Sequence, residues 1–177
     1  MVSRGSSNMD DLTLPAAAGL SCVLGIDPGL SGAIAFYFPD APNLIAAEDM
    51  PVAAGEVDAA TLARRIRAFN PTTAIIEQVG AMPKQGVAST FKFGQSYGTA
   101  RGVVLALGIP LHQATPGRWK KHYRLDSDKE KSRALALRYW PASAHFSRKK
   151  DDGRAEAALL ARFAAETMLG LEVDEAA

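Results

Sequence analysis

Four acidic residues stand in local settings where a carboxylate could do chemistry. Asp27 closes the run Val23-Leu24-Gly25-Ile26 and is followed by Pro28-Gly29. Glu77 closes Ala74-Ile75-Ile76. Asp152 and Glu156 lie four residues apart in Asp151-Asp152-Gly153-Arg154-Ala155-Glu156. Carboxylate oxygens are the ligands that Mg²⁺ or Mn²⁺ prefers. Two acids at strand ends and two on one helical face can converge on a pair of such cations roughly 3.5–4 Å apart, an arrangement suited to in-line attack of water on a phosphodiester. One cation would lower the pKa of the attacking water, and the other would stabilise the leaving 3′ oxygen. A nearby amine would help neutralise the transition state. Lys120, Lys121 and Lys131 are the candidates for that amine. The pattern points to a metal-dependent phosphodiesterase.

Asp151 competes with Asp152 as the third ligand. Asp152 is preferred because it shares a helical face with Glu156, one turn away. Like charges at that spacing repel, so a bound cation would offset the repulsion. The plain alternative is an acidic helix start favoured by the helix dipole. Gly153, inside the first turn, suggests close packing there.

The elements that must position these acids can be read from the pattern. Residues 21–27 form an apolar strand ending in an Asp-Pro-Gly turn. Residues 32–38 are a second strand, hairpinned to the first, and 43–50 a weaker third. Ala59, Leu62, Ile66 and Phe69 recur at helical spacing over 58–69, and Pro71 follows as a stop. Residues 72–77 are nearly all apolar, as expected of a buried central strand. A loop over 78–88 leads to a long helix over 89–107. Its glycines, Gly94, Gly98 and Gly102, cost helix propensity, so a close backbone approach on that face is the expected compensation. Residues 109–113 are a fifth strand and 116–122 a short basic helix. Asp128 caps a helix running to Tyr139, before Pro141. A last helix covers 152–169. The order predicts an α/β fold, a five-stranded mixed sheet flanked by helices, with Asp27 and Glu77 at strand ends where such sheets form their ligand crevice.

Composition bounds the rest. The chain has 177 residues, 47% of them apolar, which suits one domain over 21–170 between a loose leader (1–20) and a loose tail (171–177). Cys22 is the single cysteine, which excludes an internal disulfide and a thiol-rich metal site and favours a reducing compartment. Beside a buried strand it is expected to be inert. No apolar run approaches the ~20 residues of a membrane span, and the leader carries Asp10 and Asp11 without a cleavage pattern. We expect no membrane association. The net charge of +1 conceals segregation: between Lys84 and Lys150 there are 14 Lys and Arg but 3 acids, a local +11 against −10 elsewhere. A basic half beside an acidic metal-binding half is what an enzyme acting on a phosphate backbone requires. His112, His122 and His145 show no metal-ligand spacing, and His122 is the one expected nearest phosphate. Trp119 and Trp140 are read as packing residues.

At these residues the sequence resembles the RuvC family of four-way (Holliday) junction resolvases, within the RNase H-like superfamily. The resemblance rests on Gly25-Ile26-Asp27-Pro28-Gly29, Ile76-Glu77-Gln78-Val79, Gly94-Gln95 with Ala100-Arg101-Gly102, and the segment 152–160. It implies a Mg²⁺-dependent endonuclease with two cations per site, acting as a homodimer on branched DNA and nicking two opposed strands. It implies that Asp27, Glu77, Asp152 and Glu156 are the metal ligands, that Lys120 is the active-site lysine, and that Lys131 contacts DNA. Lys84, Arg118, Lys121, Lys149 and Lys150 complete the expected DNA surface. The glycines at 94, 98 and 102 would serve the protomer contact, and a two-fold dimer would match a two-fold junction.

Glu156 in place of the commoner Asp, and its four-residue spacing from Asp152, place the resemblance closer to the phage and organellar-type branch. Gly80 stands where many bacterial members carry an aromatic, and Met82, Phe91 or Phe93 are the available substitutes. The expected compartment is the cytosol of a bacterium or phage-infected host, with an organelle as the alternative. Other functional readings are an RNase H-like nuclease for RNA–DNA hybrids or forks and flaps, and a junction-binding protein that does not cut. The loop 25–32 also resembles the phosphate loop of actin-like ATPases, but one copy in a chain of this length cannot build their two-domain cleft.

Overall fold

The structure, a computed structural model, describes residues 19–80 and 86–170. The strands are β1 (Val23–Asp27), β2 (Ala33–Tyr37), β3 (Ile45–Asp49), β4 (Val52–Ala53), β5 (Glu56–Val57), β6 (Thr73–Glu77) and β7 (Leu111–Ala114). The helices are α1 (Ala59–Phe69), α2 (Val87–Ala106), α3 (Pro116–His122), α4 (Lys129–Tyr139) and α5 (Asp152–Thr167). The main sheet has the order β3-β2-β1-β6-β7. β1, β2 and β3 form an antiparallel meander, and β6 and β7 join in parallel. This is the expected five-stranded mixed sheet with helices on both faces. The separate β4–β5 ladder and the 3-10 turns Ala144–Phe146 and Lys149–Asp151 had no counterpart in the sequence reading, because elements of two or three residues carry no periodic signal.

Side-chain alternation along the strands sorts the core into two layers. Leu24 and Ile26 of β1 and Ala74 and Ile76 of β6 pack with Leu62 and Ile66 of α1 and with Ala100 and Val104 of α2. Val23 and Ile75 point the other way, into a cluster with Trp119, Trp140 and the alanines of α5. The parity that sends Val23 and Ile75 toward α5 also sends Asp27 and Glu77 to that face. In the parallel β1–β6 pairing Ile26 lies opposite Ile76, so Asp27 and Glu77 are the next residue on each strand.

α5 is buried along almost its whole length, from Gly153 to Ala165. Its alanines let its backbone lie directly on the sheet. At Gly25 the approach is closest: a Cβ there would stand 2.1 Å from the Ala157 carbonyl oxygen and 2.8 Å from the Ala161 nitrogen. Two helix starts, those of α1 and α4, are set by side-chain caps. The Asp58 carboxylate accepts the Thr61 N–H at 3.0 Å and fixes the start of α1. The Asp128 carboxylate accepts the Glu130 N–H at 3.0 Å, which makes Lys129 the first residue of α4. Cys22 is buried, and that burial pushes its thiol up to about 12, so it packs as an inert side chain.

Gly25→Ala tests the contact that seats α5. The added methyl cannot fit without moving helix backbone, so a loss of roughly 3 kcal/mol or more is expected in denaturant unfolding. A variant with an unchanged melting temperature would show that α5 does not lie on β1 as described.

Candidate active site

The alternation of β1 and β6 brings Asp27 and Glu77 side by side at the carboxyl end of the sheet, facing the first turn of α5. A Cβ at Gly153 would stand 3.2 Å from Asp27 Oδ2 and 3.3 Å from the Ser31 carbonyl oxygen, a tight fit that shows how closely α5 begins against Asp27. Asp152 and Glu156 project from the same helix start. Asp27 is largely buried, and its carboxyl is held well above the usual range. Burial is the main cause, followed by the facing carboxylates of Glu77 and Glu156 and, more weakly, Asp152, while Lys129 opposes them. Glu77 is raised too, first by burial and then by Glu156, against a hydrogen bond from Trp119 that favours its charged form. The four acids singled out in the sequence therefore share one electrostatic site.

Each of three acids is engaged by a protein donor. The Trp119 indole N–H donates to Glu77 Oε1 at 2.9 Å. Lys120 Nζ lies 2.8 Å from Glu156 Oε1, and the Ser132 hydroxyl donates to the same oxygen at 3.2 Å. Lys129 Nζ lies 2.8 Å from Asp152 Oδ2. Among the described residues no three acid, imidazole or thiol groups are arranged to hold one ion together. Glu156 and Asp152 are each paired with a lysine ammonium group. In donor chemistry the four carboxylates fit a hard divalent cation, and the repulsion that raises Asp27 and Glu77 is what such a charge would relieve.

Asp151 and Asp152 part company in space. The Asp151 carboxylate is buried and accepts the Arg148 backbone N–H at 2.8 Å and its guanidinium Nη2 at 2.7 Å. Burial alone would raise it, but the bonds from Arg148 hold it below its ordinary value. Asp151 thus closes the 3-10 turn before α5, and Asp152 faces Asp27.

The basic candidates divide as well. Lys120 is half-buried in the site. Lys131 pairs with Asp126, on the exposed side of α4. The lysine of α4 that reaches the acids is Lys129, which the sequence reading passed over. The cap at Asp128 fixes the phase of α4, but only its packing against α5 decides which lysine faces the acids. Arg118 is exposed, 5.7 Å from the Phe163 ring centre, and Lys121 is exposed beside it on α3. Lys149 and Lys150 are exposed in the 3-10 turn that leads into the acids. Lys84 and Met82 lie outside the described residues. His122 is turned away from the acids, bonded to Glu166 at 2.9 Å. Trp119 and Trp140 are both buried, but Trp119 also orients Glu77, a second role that its burial as a packing residue did not suggest. Phe93 packs at the Gly29 turn, while Phe91 is exposed on α2.

No protein-family model matches the sequence, and no curated protein matches it. Solved structures do. RuvC of T. thermophilus in complex with a Holliday junction substrate superposes with a TM-score of 0.57 at 16% identity, over 84% of this chain and 96% of that one. The fold is RuvC-like. A second structure of Thermus thermophilus RuvC gives a TM-score of 0.58 at 15% identity, over 85% of this chain and 97% of that one. The fowlpox virus Holliday junction resolvase gives 0.53 at 15% identity, over 83% and 99%. A RuvC-like sheet flanked by helices is the RNase H-like α/β architecture expected from the sequence. At these identities the likeness establishes the fold, so the chemistry must be argued from this chain's own side chains.

Asp27→Asn removes the most strained charge of the site. In metal-free buffer the variant is expected to be more stable than wild type by roughly 1–2 kcal/mol at neutral pH. Because folding raises the Asp27 pKa, wild type loses this stability as pH rises from the unfolded value through the folded one. Its disadvantage against the variant should therefore shrink as pH falls through that window. Parallel denaturation curves across acid and neutral pH check both signs. A variant less stable than wild type at neutral pH would mean that Asp27 is favourably paired.

Proposed function

We propose that this protein is a metal-dependent endodeoxyribonuclease that resolves four-way DNA junctions, acting as a homodimer that nicks two opposed strands. The observation that carries the proposal is the acidic site itself: Asp27, Glu77, Asp152 and Glu156 meet at the carboxyl end of a RuvC-like sheet with Lys120 and Lys129 among them. In this reading the four acids hold Mg²⁺, or Mn²⁺, two ions per site. Bound there, the cations would lower the pKa of an attacking water and stabilise the leaving 3′ oxygen. Trp119 and Ser132 fix the orientation of Glu77 and Glu156 by the hydrogen bonds already described. Lys120 and Lys129 compensate the acids in the free protein, and either ammonium can turn to a phosphate oxygen when DNA arrives. Arg118, Lys121, Lys149 and Lys150, with Lys131 farther out, supply a basic rim for the backbone, and Lys84 is assigned to it from the sequence alone. That T. thermophilus RuvC was solved on a Holliday junction substrate supports branched DNA as the ligand.

The homodimer rests on α2. Val87, Phe91 and Leu105 are 87%, 66% and 51% exposed. Gly94, Gly98 and Gly102 have nothing within 4 Å of where a Cβ would stand. At spacings of three and four residues these six form one apolar and backbone-exposing stripe. It is the face whose expected close approach is not met inside the protomer. Sedimentation should give a dimer, and Gly98→Arg a monomer with an unchanged melting temperature. A wild-type monomer would overturn this part of the proposal.

The test of activity is a nicking assay on an immobile four-way junction with Mg²⁺, against linear duplex, fork and RNA–DNA hybrid. Paired nicks in the junction are expected, abolished by chelation and by Asp27→Asn. Lys129→Met should lower turnover by about 10²-fold, the scale of losing one charge-stabilising group. Lys131→Met should change it by about twofold at most, as a peripheral phosphate contact. Equal cutting of fork or hybrid would move the protein to a broader nuclease, and tight binding without cutting would make it a junction-binding protein.

A further inference from the structure

Trp119 and Lys120, which touch Glu77 and Glu156, both belong to α3, a helix of seven residues. A helix that short has little stability of its own and takes its position from what it is fastened to. At its carboxyl end the polar fastening is a single carboxylate. Glu166 Oε2 lies 2.9 Å from His122 Nε2 and accepts the Tyr123 hydroxyl at 2.9 Å. Burial, and then the Glu166 charge, push the Tyr123 phenol well up, so it stays protonated and donates. The other oxygen of Glu166 accepts from Arg162 Nε at 2.7 Å. Arg162 is itself buried, with its guanidinium 3.9 Å from the centre of the Tyr139 ring. His122 is further wedged edge-on against Phe163.

We infer that Glu166 is a positioning residue for the active site. It clamps the carboxyl end of α3 to α5 and thereby sets where Trp119 and Lys120 meet Glu77 and Glu156. Glu156 and Glu166 stand on one helix ten residues apart, about 15 Å along its axis. α5 therefore carries acids at one end and the anchor of their partner helix at the other. Arg162 holds the anchoring carboxylate in its rotamer, and stacking on Tyr139 holds Arg162. The mechanism described above uses none of Glu166, Arg162, His122 or Tyr123. The inference rests on the nuclease reading for its consequence and on geometry alone for the clamp.

The experiment separates the two. In a Trp140→Phe background Trp119 is the sole tryptophan, so its emission reports the α3 seat without DNA or metal. Glu166→Ala should leave far-ultraviolet circular dichroism native, shift Trp119 emission to the red, and lower junction-nicking turnover about 10- to 100-fold with junction affinity within twofold. Glu166→Gln, which keeps an acceptor oxygen, should recover a large part of both. Should Glu166→Ala fail to fold, His122→Gln combined with Tyr123→Phe releases the same clamp from the α3 side and is judged by the same emission. A folded variant with unchanged Trp119 emission overturns the inference whatever its rate. Shifted emission in a protein whose wild type cuts no junction keeps the clamp and discards the nuclease reading.

Discussion

The seating of α5 on β1 at Gly25 is the contact on which the rest of the structure depends. A helix normally stands off a sheet by the thickness of two side-chain layers. Here one layer is a hydrogen atom at Gly25 and the other is alanine, so helix backbone and strand backbone nearly touch. That closeness brings the first turn of α5 within reach of carboxylates that leave the sheet at Asp27 and Glu77. Gly153 repeats the device more mildly at the start of α5, where a Cβ would fit tightly against Asp27. The acids are thus not gathered by a loop that could adjust. They are gathered by a rigid crossing whose small residues have no packing slack, which suits a site that must hold like charges together.

Those like charges are costly, and the protein offsets them in a way that leaves the site usable. Asp27 and Glu77 are raised by burial and by their neighbours, while Lys120 and Lys129 pair with Glu156 and Asp152. The lysines differ in what they can do. Lys120 is nearly enclosed, at 16% side-chain exposure, and sits beside Trp119, whereas Lys129 is 63% exposed at the head of α4. An exposed pair is worth little in stability, so Lys129 can leave Asp152 for another anion at small loss. Lys120 is held in a less forgiving setting, where moving it means disturbing the buried Glu156–Ser132 hydrogen bond as well.

The sheet, its five strands and all five helices were legible in the sequence because their signals are local: alternating or continuous apolar runs, the cap at Asp128, and stops at Pro71 and Pro141. The acids were legible because strand parity and the i, i+4 rule are also local. What was not legible depended on contacts between elements. Lys129 and Lys131 are two residues apart in one basic run, and only the packing of α4 against α5 decides which faces the acids. His122 reads as a basic residue beside two lysines, yet it belongs to Glu166, forty-four positions away. Trp119 was read as packing, which its burial bears out. Its N–H, which sequence composition cannot aim, also reaches Glu77.

Charge distribution connects the site to the whole surface. The acids lie at the end of the sheet, recessed among α3, α4 and α5, while Arg118, Lys121, Lys131, Lys149 and Lys150 are exposed on α3, α4 and the turn before α5. A polyanion approaching this surface meets positive charge first and negative charge only at the crevice. Such a layout attracts a backbone broadly but admits a phosphate to the acids only where cations and the two lysines locally reverse the sign. Under the proposed function, the recessed acids without bound cations would repel the scissile phosphate, so binding at the rim and reaction at the centre would be separately controlled. Attraction of a polyanion to that exposed positive charge falls in strength with salt. The crevice, buried and short-ranged, is screened far less. Under the proposed function, affinity and turnover would therefore be governed by different residues, and two helices would belong to both: α3 carries Arg118 and Lys121 outward and Lys120 inward, and α4 carries Lys131 outward and Lys129 toward the acids.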